Sequence, residues 1–126
     1  MKDHEFLNTK SAFAGLLGIT TDNEGKTFKL KIEKHHLNSH GYTHGGAIFT
    51  LADRAFAHSV NKNGQVAVAM EMNINYLSPV KEGDLLEASS EIIKEGRQTK
   101  VCIVKVKRGL ETVAAVMATA FNIKKK

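Results

Sequence analysis

The stretch AIFTLADRAFAHSVN, residues 47–61, limits the fold more than any other part of the chain. Its apolar side chains Ile48, Phe49, Leu51, Ala52, Ala55, Phe56 and Val60 fall on several helical faces rather than along one stripe. A helix that is apolar on most sides has to be enclosed. It is expected to run from Gly46 to about Asn61, and the flanking sequence supplies the wrapping. In VAVAMEMNINYL (66–77), Val66, Val68, Met70, Met72, Ile74 and Tyr76 alternate with Glu71, Asn73 and Asn75, the pattern of a long strand with one buried face. DLLEASSEIIKE (84–95), TKVCIVKVKR (99–108) and TVAAVMATAFNI (112–123) follow, separated by GRQ and GLE. Such short glycine-containing connections imply antiparallel neighbours. Upstream, GITTDN and KTFKLKIEK flank Glu24-Gly25 as another hairpin, and SAFAGLL (11–17) reads as a short helix at an edge. The expectation is an α+β fold: one antiparallel sheet of about six strands curled around a central helix, in a single domain over residues 1–126.

Composition narrows the function classes. With 126 residues, 42% hydrophobic and 25% charged, the chain fits one soluble globular domain. The amino-terminal MKDHEFLNTK has no apolar run long enough for a signal peptide, and no later stretch approaches a transmembrane length. A cytoplasmic protein is expected. The single cysteine, Cys102, excludes an intrachain disulfide and reads as a small buried hydrophobe. The net charge of +5 favours anionic partners. Three of the positive charges, however, are Lys124, Lys125 and Lys126, in a tail expected to be solvated. No basic segment is interleaved with aromatics, which sets nucleic acid aside.

The helix begins at a pair of glycines, Gly45 and Gly46. A helix N-terminus presents unsatisfied N–H groups and the positive end of its dipole, and glycine lets a reacting carbonyl approach the backbone. These glycines serve either an oxyanion hole or only the turn into the helix. Asp53 adds a second feature, since a carboxylate on an enclosed apolar helix is costly unless it is paired or has a task. Arg54 is adjacent but points about 100° away, so it is not the obvious partner. Asp53 lies roughly 12 Å along the axis from Gly45, whereas reacting groups approach to about 3.5 Å. If the two cooperate, Asp53 of one subunit meets the helix mouth of another, in a two-fold dimer with composite sites.

The run Asn38-Ser39-His40-Gly41-Tyr42-Thr43-His44-Gly45-Gly46, with Leu51-Ala52-Asp53, Asn75-Tyr76-Leu77-Ser78-Pro79 and Glu95-Gly96-Arg97-Gln98-Thr99, resembles the hotdog-fold thioesterases of the phenylacetic-acid-degradation (PaaI-like) type, over nearly the whole chain. The resemblance implies a hotdog fold, an acyl-coenzyme A (acyl-CoA) thioester substrate, no separate cofactor or metal, and a homodimer that often pairs into a homotetramer. It places the carbonyl-polarising N–H on Gly45, with Gly46 beside it. The catalytic carboxylate falls on Asp53, the loop asparagine on Asn38 and the histidine before the glycines on His44. Some members carry a serine or threonine in the next strand, where this chain has Ala69. Asp53 can act as a general base toward water or as a nucleophile forming an anhydride, and an unperturbed aspartate, near pKa 3.9, would be ionised for either role.

Four histidines between positions 35 and 44 (His35, His36, His40 and His44) raise a zinc site, but their spacing shows no HExxH pair and no cysteine set accompanies them. His35, His36 and His40 read as surface or loop residues, and His44 as a brace for the loop or substrate. Lys94, Arg97, Lys100, Lys105, Lys107 and Arg108 crowd one hairpin and are candidates for the phosphates of coenzyme A (CoA), with Arg97, at the turn, the foremost. Phe49, Phe56, Met70, Met72 and Tyr76 are expected to line an apolar acyl pocket, with Phe49, Met70 and Tyr76 as substrate-binding residues. An aryl acyl group and a medium or long chain all fit. A noncatalytic acyl-CoA binder on the same fold is the alternative to hydrolysis. A hotdog dehydratase ranks behind both, because its histidine-proline loop is missing.

Overall fold

The computed structural model describes residues 11–22, 24–62 and 64–123; the lysine tail and the amino-terminal MKDHEFLNTK lie outside them. A short helix α1 (Ala12–Leu17) starts at Ser11, whose Oγ accepts the Ala14 N–H at 3.3 Å, and ends at Gly18 in the left-handed conformation, φ 89°. Strands β1 (Thr20–Thr21) and β2 (Phe28–Lys31) follow, then a 3-10 turn at Lys34–His36. The long helix α2 spans Gly45–Val60, one residue earlier at each end than the sequence pattern suggests. Strands β3 (Ala67–Tyr76), β4 (Leu85–Glu95), β5 (Thr99–Arg108) and β6 (Glu111–Asn122) complete the chain.

All six strands form one antiparallel sheet in the order β1-β2-β4-β5-β6-β3. The helix α2 packs across the concave face, chiefly on β4 and β5. On β5 the alternate residues Cys102, Val104 and Val106 are wholly buried, and on β6 Val116, Ala118 and Ala120 form the matching row, as one-faced burial requires. From the helix, Leu51, Ala52, Phe56 and Val60 complete this core. Within it Ser59 Oγ lies 2.8 Å from Ser90 Oγ and 3.8 Å from Cys102 Sγ.

The strand expected to have one buried face from 66 to 76 is broken by a β-bulge. Its register against β6 shifts between Ala69 and Glu71, which leaves Met70 as the extra residue, and one extra residue reverses the parity of everything before it. Ala69 therefore shares its face with Met72, Ile74 and Tyr76, whereas Val68 belongs with Glu71 and Asn73. The expected row Val66-Val68-Met70 does not continue the row Met72-Ile74-Tyr76, and Met70 stands 60% exposed. β3 is also an edge strand ten residues long. Exposed edges of that length are templates for pairing with another chain.

Nor is the helix enclosed on every side. Gly46, Phe49, Thr50, Asp53 and Ala57 are partly or fully exposed, and at about 100° per residue they fall within one arc of roughly 100°. The rest of α2 between them is buried apart from its carboxy-terminal His58 and Ser59. The uncovered stripe carries the aspartate.

Candidate active site

The loop before α2 is organised by Asn38. Its Oδ1 accepts the N–H groups of His40 at 2.9 Å and Tyr42 at 3.1 Å, and its own N–H donates to Tyr42 O at 2.7 Å. Asparagine suits such a turn because its side chain caps the backbone ahead of it, and Gly41 supplies the positive φ, 86°. The loop closes through a bridge between Leu37 and Thr43, and Thr43 is anchored by its N–H and Oγ1 to Val80 O, both at 2.8 Å.

His36 is not a surface residue as expected. It is 3% exposed, its Nδ1 accepts the Glu33 N–H at 2.9 Å, and its Nε2 donates to Leu17 O at 2.7 Å. This is a neutral imidazole with the proton on Nε2, since Nδ1 faces a donor and Nε2 an acceptor. His36 O in turn accepts the His44 N–H at 2.7 Å, tying α1 to the helix entrance. The His35 ring, itself exposed, leans on that of His36 with centroids 4.1 Å apart.

His44 is the N-cap of α2. Its Nδ1 accepts the Gly46 N–H at 2.9 Å, and its carbonyl accepts the Ala47 N–H at 3.0 Å. The Gly46 N–H is thereby occupied, so of the two glycine amides only that of Gly45 is left unpaired among the described residues. Neither glycine has a positive φ; each is instead closely approached by a neighbouring side chain. A Cβ on Gly45 would lie 3.0 Å from Cζ and Oη of Tyr76, and one on Gly46 would lie 3.1 Å from His44 Nδ1. A free amide at a helix start, unshielded by a side chain, suits an oxyanion or a polarised carbonyl.

Two cavities flank this entrance. One of about 370 Å³ runs along Tyr42, Gly45, Ile48 and Tyr76 to Val80. The other, about 400 Å³ and more apolar, lies between the helices against Phe13, Leu17, His44, Gly46 and Phe49. An ion network braces the outer wall of the first. Arg108 meets Asp84 at 2.8 Å and Glu111 at 2.7 Å and donates to Pro79 O, while Ser78 Oγ donates to Glu111 at 2.7 Å. Arg108 is thus committed to structure rather than to phosphate. So is Lys100, 5% exposed, whose Nζ donates to Val60 O at 3.1 Å and caps the negative end of α2. Lys94, Lys105 and Lys107 remain exposed.

Asp53 lies two turns beyond the entrance on the same unbroken helix and lines neither cavity. Its carboxyl is not unperturbed: burial pushes its pKa up, partly offset by the positive charge of Arg54. Arg54 is buried and lies over the Phe28 ring, 5.2 Å from its centroid. The expected site residues therefore fall into two groups. Asn38, His44, Gly45, Gly46, Phe49 and Tyr76 gather at the entrance. Asp53, Met70 and Arg97 do not. Arg97 sits in the β4–β5 turn, where its carbonyl accepts Asn122 Nδ2 at 3.0 Å; this is the sheet end that meets the carboxy terminus of α2, through Lys100 and Val60.

Comparison with known proteins shows the family of the chain. Residues 40–120 match the thioesterase superfamily, a span that includes Gly45, Gly46, Asp53 and the last four strands up to Ala120. The acyl-coenzyme A thioesterase PaaI of Escherichia coli K12 is 35% identical over 88 residues, which is 70% of this chain and 63% of that protein. The solved structure of the PaaI protein from the E. coli phenylacetic acid degradation operon superposes with a TM-score of 0.89 at 32% identity, covering 97% of this chain and 91% of that one. A Streptococcus mutans UA159 protein bound to acetyl CoA matches with a TM-score of 0.74 and 35% identity, covering 79% of this chain and 82% of that one. With a helix mouth of this design inside a sheet so closely shared, the chain belongs to the thioesterase superfamily, as a hotdog-fold protein of the PaaI-like type.

Proposed function

We propose that the protein hydrolyses acyl-CoA thioesters at composite sites in a two-fold homodimer. The observation that carries this reading is the division of the site within one chain: the free amide at Gly45 and the carboxylate at Asp53 stand on one helix, roughly 12 Å apart along its axis. A second copy related by a two-fold axis brings Asp53 of the partner subunit to the Gly45 mouth. The uncovered helix stripe and the bare β3 edge are two surfaces such a partner would cover. Pairing of two β3 edges in antiparallel sense about Asn73, the midpoint between Met70 and Tyr76, would carry Met70 from the distal end of one chain to the entrance of the other.

In this arrangement the Gly45 N–H polarises the thioester carbonyl, and the helix dipole stabilises the charge that develops on its oxygen. Asp53 acts on the carbonyl carbon, either through a water it deprotonates or directly as nucleophile. Burial raises its pKa, which strengthens the ionised form as a base. The tetrahedral intermediate then expels the thiolate of CoA, leaving the free acid where water attacked, or an anhydride on Asp53 that a water hydrolyses to the acid and the restored carboxylate. Asn38 holds the loop beside the mouth, and its amide NH2, without a hydrogen-bond partner among the described residues, is available to the water or carboxylate. The apolar cavity against Phe13, Leu17 and Phe49 suits an aryl or medium-length acyl group. Arg97, at the distal end, would serve the CoA phosphates of the partner's site. No cofactor or metal enters this scheme.

The test is release of free CoA from a panel of aryl, short, medium and long acyl thioesters, followed with a thiol-reactive dye. Wild type should turn over part of the panel, and Asp53→Ala should not. Mixing Gly45-side and Asp53-side inactive variants should restore up to one intact site per mixed dimer. Verified mixed dimers with no recovery would refute composite sites. Binding without turnover across the panel would leave a noncatalytic acyl-CoA binder.

A further inference from the structure

Two consecutive glycines make the most flexible entrance a helix can have, yet an oxyanion donor is effective only when it is fixed before the charge arrives. The peptide units around Gly45 are fixed from outside the helix. The His44–Gly45 peptide has its carbonyl bonded to the Ala47 N–H at 3.0 Å, and the unit before it is held by the His44 N–H to His36 O at 2.7 Å. The Gly45–Gly46 peptide is gripped at both ends: its N–H by His44 Nδ1 at 2.9 Å, and its carbonyl by the Tyr76 hydroxyl at 2.9 Å. Tyr76 comes from the end of β3, 31 residues away in sequence. Its ring rests on the face of Gly45, where a Cβ would collide with it at 3.0 Å. The phenol is also partly desolvated, which pushes its pKa up and keeps its proton available for donation.

We infer that Tyr76 is a positioning residue, whose hydroxyl clamps the Gly45–Gly46 peptide against His44 and so aims the Gly45 N–H, rather than a wall of the acyl pocket. This rests on the thioesterase reading, because aiming matters only if a carbonyl is polarised there. The hydroxyl is engaged by the Gly45 carbonyl, so it acts through that peptide rather than on the reacting atoms. Its removal should therefore lower the rate of the chemical step and leave ground-state binding intact.

The experiment is Tyr76→Phe, which keeps the ring and removes the hydroxyl, beside Tyr76→Leu, which removes both. Three readouts are taken: kcat and KM on the best thioester, affinity for a nonhydrolysable thioether analogue, and the nitrogen resonance of the Gly46 amide, whose peptide carbonyl loses its donor. Tyr76→Phe is expected to lower kcat about tenfold, to change KM and analogue affinity less than twofold, and to shift the Gly46 resonance. A KM that rises for large acyl groups while kcat holds would overturn the clamp and return Tyr76 to the pocket wall. An unshifted Gly46 resonance in folded Tyr76→Phe, or kcat within twofold of wild type, would also overturn it. If wild type hydrolyses no thioester, the proposed function fails; the resonance shift still reports whether the clamp exists.

Discussion

Replacing Gly45 by alanine separates chemistry at the helix mouth from the stability of the fold. The new Cβ would stand 3.0 Å from Cζ and Oη of Tyr76 and 3.4 Å from Cε1, so either the ring or the helix start must give. The ring is the softer of the two, being 50% exposed and held by its bond to Gly45 O at 2.9 Å. Its displacement forfeits that bond, about 0.5–1.5 kcal/mol net. Alanine recovers about 0.5–1 kcal/mol over glycine in a helix, with no backbone penalty because φ here is not positive. The two terms nearly cancel, so the melting temperature should move by less than about 5 °C. Catalysis has no such offset. The methyl group crowds the approach to the unpaired amide and releases the peptide behind it, and loss of one oxyanion donor costs about 10²–10³ in kcat. The assay pairs CoA release with thermal melting on the same preparation. A Gly45→Ala protein that keeps kcat within threefold of wild type would refute the assigned role of this amide. One that melts more than about 10 °C lower would show that the ring cannot yield.

Asp53→Asn should abolish turnover and raise the melting temperature at neutral pH. Because burial raises the folded-state pKa of Asp53, stability falls as pH rises from the ordinary carboxylate value through the raised one, and the amide removes that loss; melting curves from pH 4 to 8 check the sign. As a base or nucleophile the same carboxylate must be ionised, so kcat/KM should drop as pH falls through its raised pKa. Lys100→Met leaves Val60 O at the end of α2 without its donor, and should destabilise by about 1–2 kcal/mol, a fall of roughly 3–6 °C. Activity of the folded fraction should be retained.

What could be read from the sequence was whatever repeats. The wrapped helix and the strands from 66 onward announce themselves by period, and the three hairpins by their glycines. The bulge at Met70 does not, because Ala69 and Met70 carry neither a glycine nor a proline to mark it, so an unbroken alternation was read across a strand that contains a break. Lys100 was legible in principle: it shares the parity of Cys102, Val104 and Val106, the buried row of β5, and a lysine in such a row has to find a partner. His36 had no comparable sign, since two adjacent histidines at a strand end look equally polar. Its burial is decided by Leu17 and Glu33, which only the fold brings to it. Gly45, Gly46 and Asp53 stand out by type and spacing, and Asn38 and His44 by the family resemblance, but the hydroxyl contact of Tyr76 spans a distance in sequence that no local pattern reports.

On the proposed reading, the helix at the centre of the fold also makes a single chain incomplete. An unbroken helix cannot turn Asp53 toward its own Gly45, and the sheet leaves bare both the stripe bearing Asp53 and the long edge of β3. In the proposed dimer one partner would cover both surfaces and complete both sites, so activity should follow association. On serial dilution, specific activity should stay constant while the dimer persists and fall in parallel with the dimer fraction measured by sedimentation or mass photometry at the same concentrations. A lysine in place of Val68, which pairs with Phe121 near the start of β3 and is 49% exposed, should move both curves to higher concentration together. A chain that remained fully active where the same measurement shows only monomers would mean that Asp53 is not the carboxylate serving the Gly45 mouth.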